Sequence, residues 1–293
     1  MHVRTVKDGG ILLEYVRKNF SLTNTKSKHL LESGMIVVND KIITHHAHLL
    51  KAGDKICFES KPQKASKLHF HLGFPILYED ESVIVIVKPE GLLTVATEKV
   101  KNHTAYFKLT EYVRSKDPSG KARVFIVHRI DRDASGILVF AKTEKAKMFL
   151  QENWKKFEKK YYAVVEGTPN KTEGTIKSYL VEDKFRRVYS AKESKYSKYA
   201  ATRYQLMKSS GKYSLLEVTL LTGRKNQIRV HLADIGHPII GDEKYGSKSD
   251  PAGRLGLHAY CLKFHHPETG EKKLFTSELP DSLKKLIKVS ATS

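Results

Sequence analysis

Several things are scarce in this chain. Cysteine occurs only twice in 293 residues. Cys57 and Cys261 match no thiolate metal spacing and are too few for a disulfide scaffold, so buried, reduced thiols in a cytoplasmic protein are expected. No apolar run approaches the length of a membrane span, and the start, MHVRTVKDGG, lacks the apolar core of a signal peptide. A cytoplasmic protein with no membrane partner follows as an expectation. Signature loops are missing too. There is no GxxxxGK[ST], no GxGxxG after a strand and no GxSxG elbow, so no nucleotide cofactor and no serine-hydrolase chemistry is expected. Fourteen histidines are present, clustered at His45, His46 and His48, at His69 and His71, and at His265 and His266. None stands at a fixed spacing from the carboxylates or thiolates of a zinc or di-iron site, so neither a metal nor any other cofactor is expected.

Arginine is scarce relative to lysine, and that is informative. The chain carries a formal net charge of +20, with 52 basic residues against 32 acidic ones. Such an excess points to a polyanionic partner, nucleic acid before an anionic membrane. Only 12 of the basic residues are arginine, and five of these (Arg129, Arg132, Arg224, Arg229, Arg254) fall in the three most organised stretches. Lysine solvates the surface; arginine, a planar fork of donors, is placed where geometry matters.

Residues 1–60 read as a small module. Ile11, Leu12, Tyr15, Val16 and Phe20 share one side of a first helix, a second runs from about Thr25 to a stop at Gly34, and MIVVNDKII signals a hairpin across Asn39-Asp40. Residues 61–72 have the polar, aperiodic composition of a linker. Residues 73–293 read as one strand-rich domain. SVIVIVKPEG, GILVFAKT, KKYYAVVEG and SLLEVTLLTG are strands, and EKAKMFLQENWKKF is a helix with Ala146, Phe149, Leu150 and Trp154 inward.

Three clusters carry candidate chemistry. VHRIDRDASG places Asp131 between Arg129 and Arg132 on a turn entering a strand. A carboxylate beside arginine stays ionised, and an ionised, positioned Asp is a nucleophile, a base or a metal ligand; a turn network that merely fixes the loop is the competing reading. The segment 220–246 gathers Arg224, Lys225, Asn226, Gln227, Arg229 and His231, with RVHLADIG a short helix closed by Gly236. In RLGLHAYCLKFHHP, His258 sits among alternating apolar residues and reads as structural.

Taken together and in order, YEDESVIVIVKPEGLL, HRIDRDASGILVFAKT, KKYYAVVEG, TGRKNQIRVHLADIGHPIIGDEKYG and RLGLHAYCLKFHHP resemble the RluA-type RNA pseudouridine synthases. Residues 9–58 are similar to an RNA-binding module typified by a ribosomal small-subunit protein. The resemblance implies an α+β fold: a mixed, largely antiparallel sheet with flanking helices and a central catalytic cleft, plus a small N-terminal helix–helix–hairpin module. It implies an isomerase that converts uridine in structured RNA without cofactor or metal, with large-subunit ribosomal RNA ahead of transfer RNA as partner.

By the same resemblance, Asp131 is the essential aspartate, Arg229 its ion-pair partner and Tyr161 the ring stacked on uracil. Arg129 fills the space left by the flipped nucleotide or grips its phosphate. Arg132, Arg224, Lys225, Asn226 and Gln227 join the RNA contacts. Two departures stand out. Lys225-Asn226 replaces the usual Thr-His, and Lys26 or Lys28 stands where the N-terminal module usually has arginine, keeping charge but losing the bidentate fork. Two other readings remain at this point: a non-catalytic RNA-binding ribosome-assembly factor on the same fold, and a metal-dependent nuclease.

Overall fold

The computed structural model describes residues 3–32, 35–39, 41–43, 46–58 and 72–287. Two compact units divide the chain, Met1–Phe70 and His71–Ser293. The expected stop at Gly34, Asp40 of the hairpin turn and nearly all of the expected linker lie outside the described residues.

In the first unit, strands β1 (Val3–Thr5) and β2 (Gly10–Ile11) precede helices α1 (Leu12–Asn19) and α2 (Asn24–Glu32). Strands β3 (Ile36–Val38), β4 (Lys41–Ile42), β5 (Leu49–Leu50) and β6 (Lys55–Phe58) follow. Four of them form a sheet in the order β1-β6-β3-β4, and β2 pairs with β5. The spacing of Leu12 and Val16 puts both on one face of α1, where they are fully buried with Leu31, Ile36 and Ile56. Ile11, expected on that face, precedes the helix and is partly exposed. Asn39 turns the hairpin with φ 48°, a left-handed conformation that Asn tolerates better than most residues. Its side chain bonds the Asp54 carboxylate at 2.7 Å and accepts from the Lys55 amide at 2.8 Å.

The second unit is built on one eleven-stranded sheet. Its elements are β7 (Ile76–Glu79), β8 (Val83–Lys88), α3 (Ala105–Lys116), β9 (Phe125–Ile126), β10 (Ser135–Ala141), α4 (Glu144–Asn153) and β11 (Glu158–Glu166). They continue with β12 (Glu173–Glu182), β13 (Val188–Ala191), β14 (Lys198–Ser209), β15 (Tyr213–Leu220), α5 (Gln227–Asp234), β16 (Leu257–His265), β17 (Lys272–Thr276) and α6 (Asp281–Lys284). The strand order is β13-β12-β14-β15-β11-β16-β10-β8-β7, with β17 added on β16 and β9 on β10. Each of these pairings is antiparallel except the short parallel one between β10 and β16.

The centre of this sheet is covered on both faces, which is why VIVIV and GILVFA are continuous apolar runs rather than alternating ones. Val83, Val85, Val139 and Ala141 pack with Ala146 and Leu150 of α4 and with Phe157 and Phe264. Burying each large aliphatic side chain contributes about 1.5–3 kcal/mol. Thr143 caps α4 by accepting from the Ala146 amide. Cys261 is buried as expected, whereas Cys57 is half-buried. β12 and β14 are the longest strands of the described residues, and their alternation of polar and apolar residues matches an outer position with one covered face.

Candidate active site

The parallel seam between β10 and β16 forms the floor of the site. It pairs Ser135 with His258 and Gly136 with Ala259. Gly136 has φ 121°, and a Cβ there would stand 2.3 Å from the Ala259 carbonyl oxygen, so only glycine lets the two backbones meet. Ala259 is also the partner of Tyr161 on β11, at a break in register between Lys160 and Tyr161. Such a bulge re-aims the side chain that follows it. The turn carrying Asp131 enters β10, and Tyr161 comes from the strand on the other side of β16.

Two clamps fix the turn, one from the last residue of β8 and one from the segment that follows it. The ammonium of the fully buried Lys88 donates to the carbonyl oxygens of Pro89 (2.8 Å), Leu92 (2.7 Å) and Arg132 (3.0 Å). Burial pulls its pKa down to about 7, against the pull of Asp133, Asp131 and Glu90. On the other side of Asp131, the Thr94 hydroxyl donates to the Ile130 carbonyl oxygen at 3.0 Å. Asp131 is thus held by its neighbours' backbone, leaving its side chain for other work. Nothing in the sequence reading singled out Lys88 or Thr94; the signal was a lysine closing a fully apolar strand.

Arg229, on α5, faces Asp131 with Nη1 3.3 Å from Oδ2. Its stronger partner is Asp242, which accepts from Nε and Nη2 at 2.7 Å each. Asp242 is 1% exposed and the Arg229 side chain 12%, against 30% for Asp131. Burial works against the guanidinium charge, but Asp242 and then Asp131 more than offset it, and the arginine pKa is raised. The arginine is therefore a fixed cation, locked by a buried bidentate pair and offering its remaining edge to Asp131. Asp242 was missed in the sequence; it follows Gly241, which has φ 71° and where a Cβ would stand 2.4 Å from the Arg254 carbonyl oxygen.

Tyr161 is half-buried, packed against Ala163, Val218 and their neighbours. Burial first, and the charge of Asp131 second, raise its phenol pKa well above the ordinary value, so the hydroxyl stays protonated. A second polar chain ties down the floor. Arg254 bonds Glu90 (2.9 Å) and Ser135 Oγ (2.5 Å), and Ser135 meets His258 Nδ1 at 2.7 Å. Burial and then Arg254 lower the His258 pKa to about 4. His128 stacks on Trp154 at 4.1 Å and takes a hydrogen bond from the Val139 amide at 3.2 Å; burial brings its pKa down to about 3. A cavity of about 270 Å³, lined by Glu90, Asp133, Arg229, Arg254 and Leu255 among others, opens beside Arg229.

The other sequence-selected residues divide by exposure. Arg129, Arg132, Arg224 and Lys225 are exposed, Arg132 paired with Asp133 at 2.8 Å and Lys225 with Glu182. Asn226 and Gln227 are buried. Asn226 takes φ 53° at the start of α5 and donates to the Tyr245 hydroxyl at 2.9 Å. Gln227 accepts from Thr222 and from the Arg224 amide, and donates to Thr202 and the Ala201 carbonyl. Both organise the loop from inside. α5 consequently begins two residues before the expected RVHLADIG, and Gly236 follows it at φ 82°. Lys26 and Lys28 are exposed on α2. Among the described residues, no group of three or more His, Cys, Asp or Glu could hold a metal ion, and no helix is long and apolar enough to cross a membrane.

Comparison with known proteins gives a consistent result. Residues 82–234 match the model of a family described as RNA pseudouridylate synthase. A protein of Bacillus subtilis described as an uncharacterized RNA pseudouridine synthase is 33% identical over 270 residues, covering 90% of this chain and 88% of its own length. A ribosomal large subunit pseudouridine synthase D of Neisseria meningitidis is 30% identical over 274 residues, covering 88% of this chain and 72% of its own. Among solved structures, human RNA pseudouridylate synthase domain containing 4 superposes with a TM-score of 0.59 at 25% identity, covering 72% of this chain and 92% of that one.

Proposed function

This chain belongs to the RNA pseudouridylate synthase family, and from that premise we infer that it isomerises uridine to pseudouridine in large-subunit ribosomal RNA, in the cytoplasm. The reaction breaks the bond from ribose C1′ to N1 and forms one from C1′ to C5. A hydrogen leaves C5 as one is gained at N1, so no net oxidation occurs. The observation that carries the assignment of roles is the contact of Asp131 with an arginine already saturated on its other side by Asp242. A carboxylate so placed can attack the anomeric carbon or take the proton that opens a glycal route, and both need it ionised.

Tyr161, protonated and half-buried with Asp131 close enough to act on its charge, suits a stacking surface that can also donate a hydrogen bond to the detached base. Arg129 and Arg132 flank Asp131 and are exposed, as residues gripping the phosphates of a flipped nucleotide must be. The first unit, with Lys26 and Lys28 on its second helix, serves as an additional RNA grip that raises the local concentration of substrate at the site.

The test uses ribosomal RNA carrying tritium at uracil C5. The full chain should release tritium with a chelator present. RNA binding without release from any fraction would instead favour the non-catalytic assembly factor, and release that the chelator abolishes would favour metal-dependent chemistry.

A further inference from the structure

Beside Asp131, Arg229 is locked by Asp242 and Tyr161 is half-buried, but at the edge of the sheet the chain holds an aromatic ring out in solvent. Asp183–Arg187 link β12 to β13 in a tight, fully bonded turn. The Asp183 amide donates to the Arg187 carbonyl (2.9 Å) and the Arg186 amide to that of Asp183 (3.0 Å). The Asp183 carboxylate takes the amides of Phe185 (2.9 Å) and Arg187 (2.8 Å). Arg186 sits at φ 61°, an uncommon conformation for a residue with a Cβ. The turn so bonded leaves Phe185 78% exposed. Lys184, Arg186 and Arg187 are exposed around it, with the Lys184 ammonium 5.1 Å from the ring centroid. No apolar partner is needed to explain the ring's direction if its partner is a base, whose π-face stacks on an aromatic ring while the cations meet the phosphates.

The turn is also tied to the site. Lys225 pairs with Glu182, and both Lys225 (3.4 Å) and Lys244 (3.2 Å) donate to the Arg186 carbonyl oxygen. The Val188 amide, at the root of the turn, donates to the Tyr245 hydroxyl at 3.3 Å, and Arg229 lies over the Tyr245 ring at 5.1 Å. Tyr245 thus joins the hairpin to the arginine that faces Asp131.

We propose that Phe185 is a base-stacking platform which, with Arg186 and Arg187, holds an unpaired nucleotide near the target uridine. The proposal rests on the synthase reading for its RNA substrate, and the position of the turn next to the Arg229–Tyr245 pair supplies the location. The cationic surroundings commit the surface to RNA rather than to a protein partner.

The test is binding of fluorescently labelled poly(U) by the full chain, which requires no turnover. Phe185→Ala should bind about tenfold more weakly with the salt dependence unchanged, since no phosphate contact is lost. Phe185→Tyr should restore binding. Phe185→Trp should show indole emission quenched by poly(U), a signal that mere electrostatic attraction to the turn would not produce. Equal binding by wild type and Phe185→Ala, including absence of binding by both, overturns the proposal, as does an unquenched Phe185→Trp complex. Tritium release is read separately, so failure of the synthase reading and failure of the platform give different results.

Discussion

The two units of the molecule bury different things. In the first, the described core is aliphatic, Leu12, Val16, Leu31, Ile36 and Ile56, and Ser27 is the one buried polar residue described there. In the second, Lys88, Asp242, Arg254, His258, His231, Asn226 and Gln227 are buried and tied into hydrogen-bonded networks. An apolar core is enough to hold a small surface in shape. Buried charges cost solvation and persist only where partners satisfy them, and here they converge on one turn and one arginine. Under the proposed function, the difference would separate a unit that shapes a surface for gripping RNA from one that positions reacting atoms.

The sharpest way to break this comparison is Asp131→Asn. Tritium release should fall by ~10³-fold or more, while RNA affinity stays within about twofold and the melting temperature barely moves, because Arg229 keeps its bidentate pair with Asp242. A large loss of stability would mean that Asp131 belongs to the structural network after all. Asp242→Asn should behave differently. Breaking a buried pair costs about 3 kcal/mol of stability, measured by urea unfolding, and freeing Arg229 to move should lower kcat by ~10²-fold. A variant with intact stability and full kcat would remove Asp242 from the positioning role.

Deleting residues 1–70 tests the other side. The remaining chain should keep its kcat at saturating RNA yet lose about tenfold or more in affinity; unchanged affinity would leave the first unit without an RNA role.

The smallest effect is in the acid limb of stability. His258 and His128 are neutral when folded, with pKa values brought down by burial to about 4 and about 3. Their contribution is full above the unfolded value of about 6.5 and is lost as pH falls through those lower values, since the unfolded chain binds the protons first. Between pH 6.5 and 4, wild type should therefore lose more stability than His258→Gln, followed by thermal melts across that range. Parallel curves would show that the histidines do not govern the acid limb.

Much of this was legible in the sequence, in particular places. The turn around Asp131, the arginine at 229 and the tyrosine at 161 stood in motifs whose order named a family. The inner strands were readable because both of their faces are covered, leaving unbroken apolar runs. β12 and β14 were not singled out, because strands with one covered face dilute their apolar residues with Lys, Thr and Ser. Lys88, Thr94 and Asp242 escaped for another reason. Their importance lies in partners 44, 36 and 13 residues away, and a sequence records residue types, not which carbonyl or guanidinium they meet. Asn226 and Gln227 show the converse: polar side chains beside arginines read as a surface, yet the chain folds them inward.

The seam between β10 and β16 has a consequence for how the protein comes into being. Ser135 and His258 are 123 residues apart, so the floor beneath Asp131 closes only across a long loop, a contact that forms slowly. A chain still emerging from the ribosome would already carry Asp131, Tyr161 and Arg229 but would lack the strand on which they assemble. Assembly of the candidate site thus waits on the synthesis of β16, and a product truncated before about residue 257 would carry Asp131, Tyr161 and Arg229 without the floor beneath them.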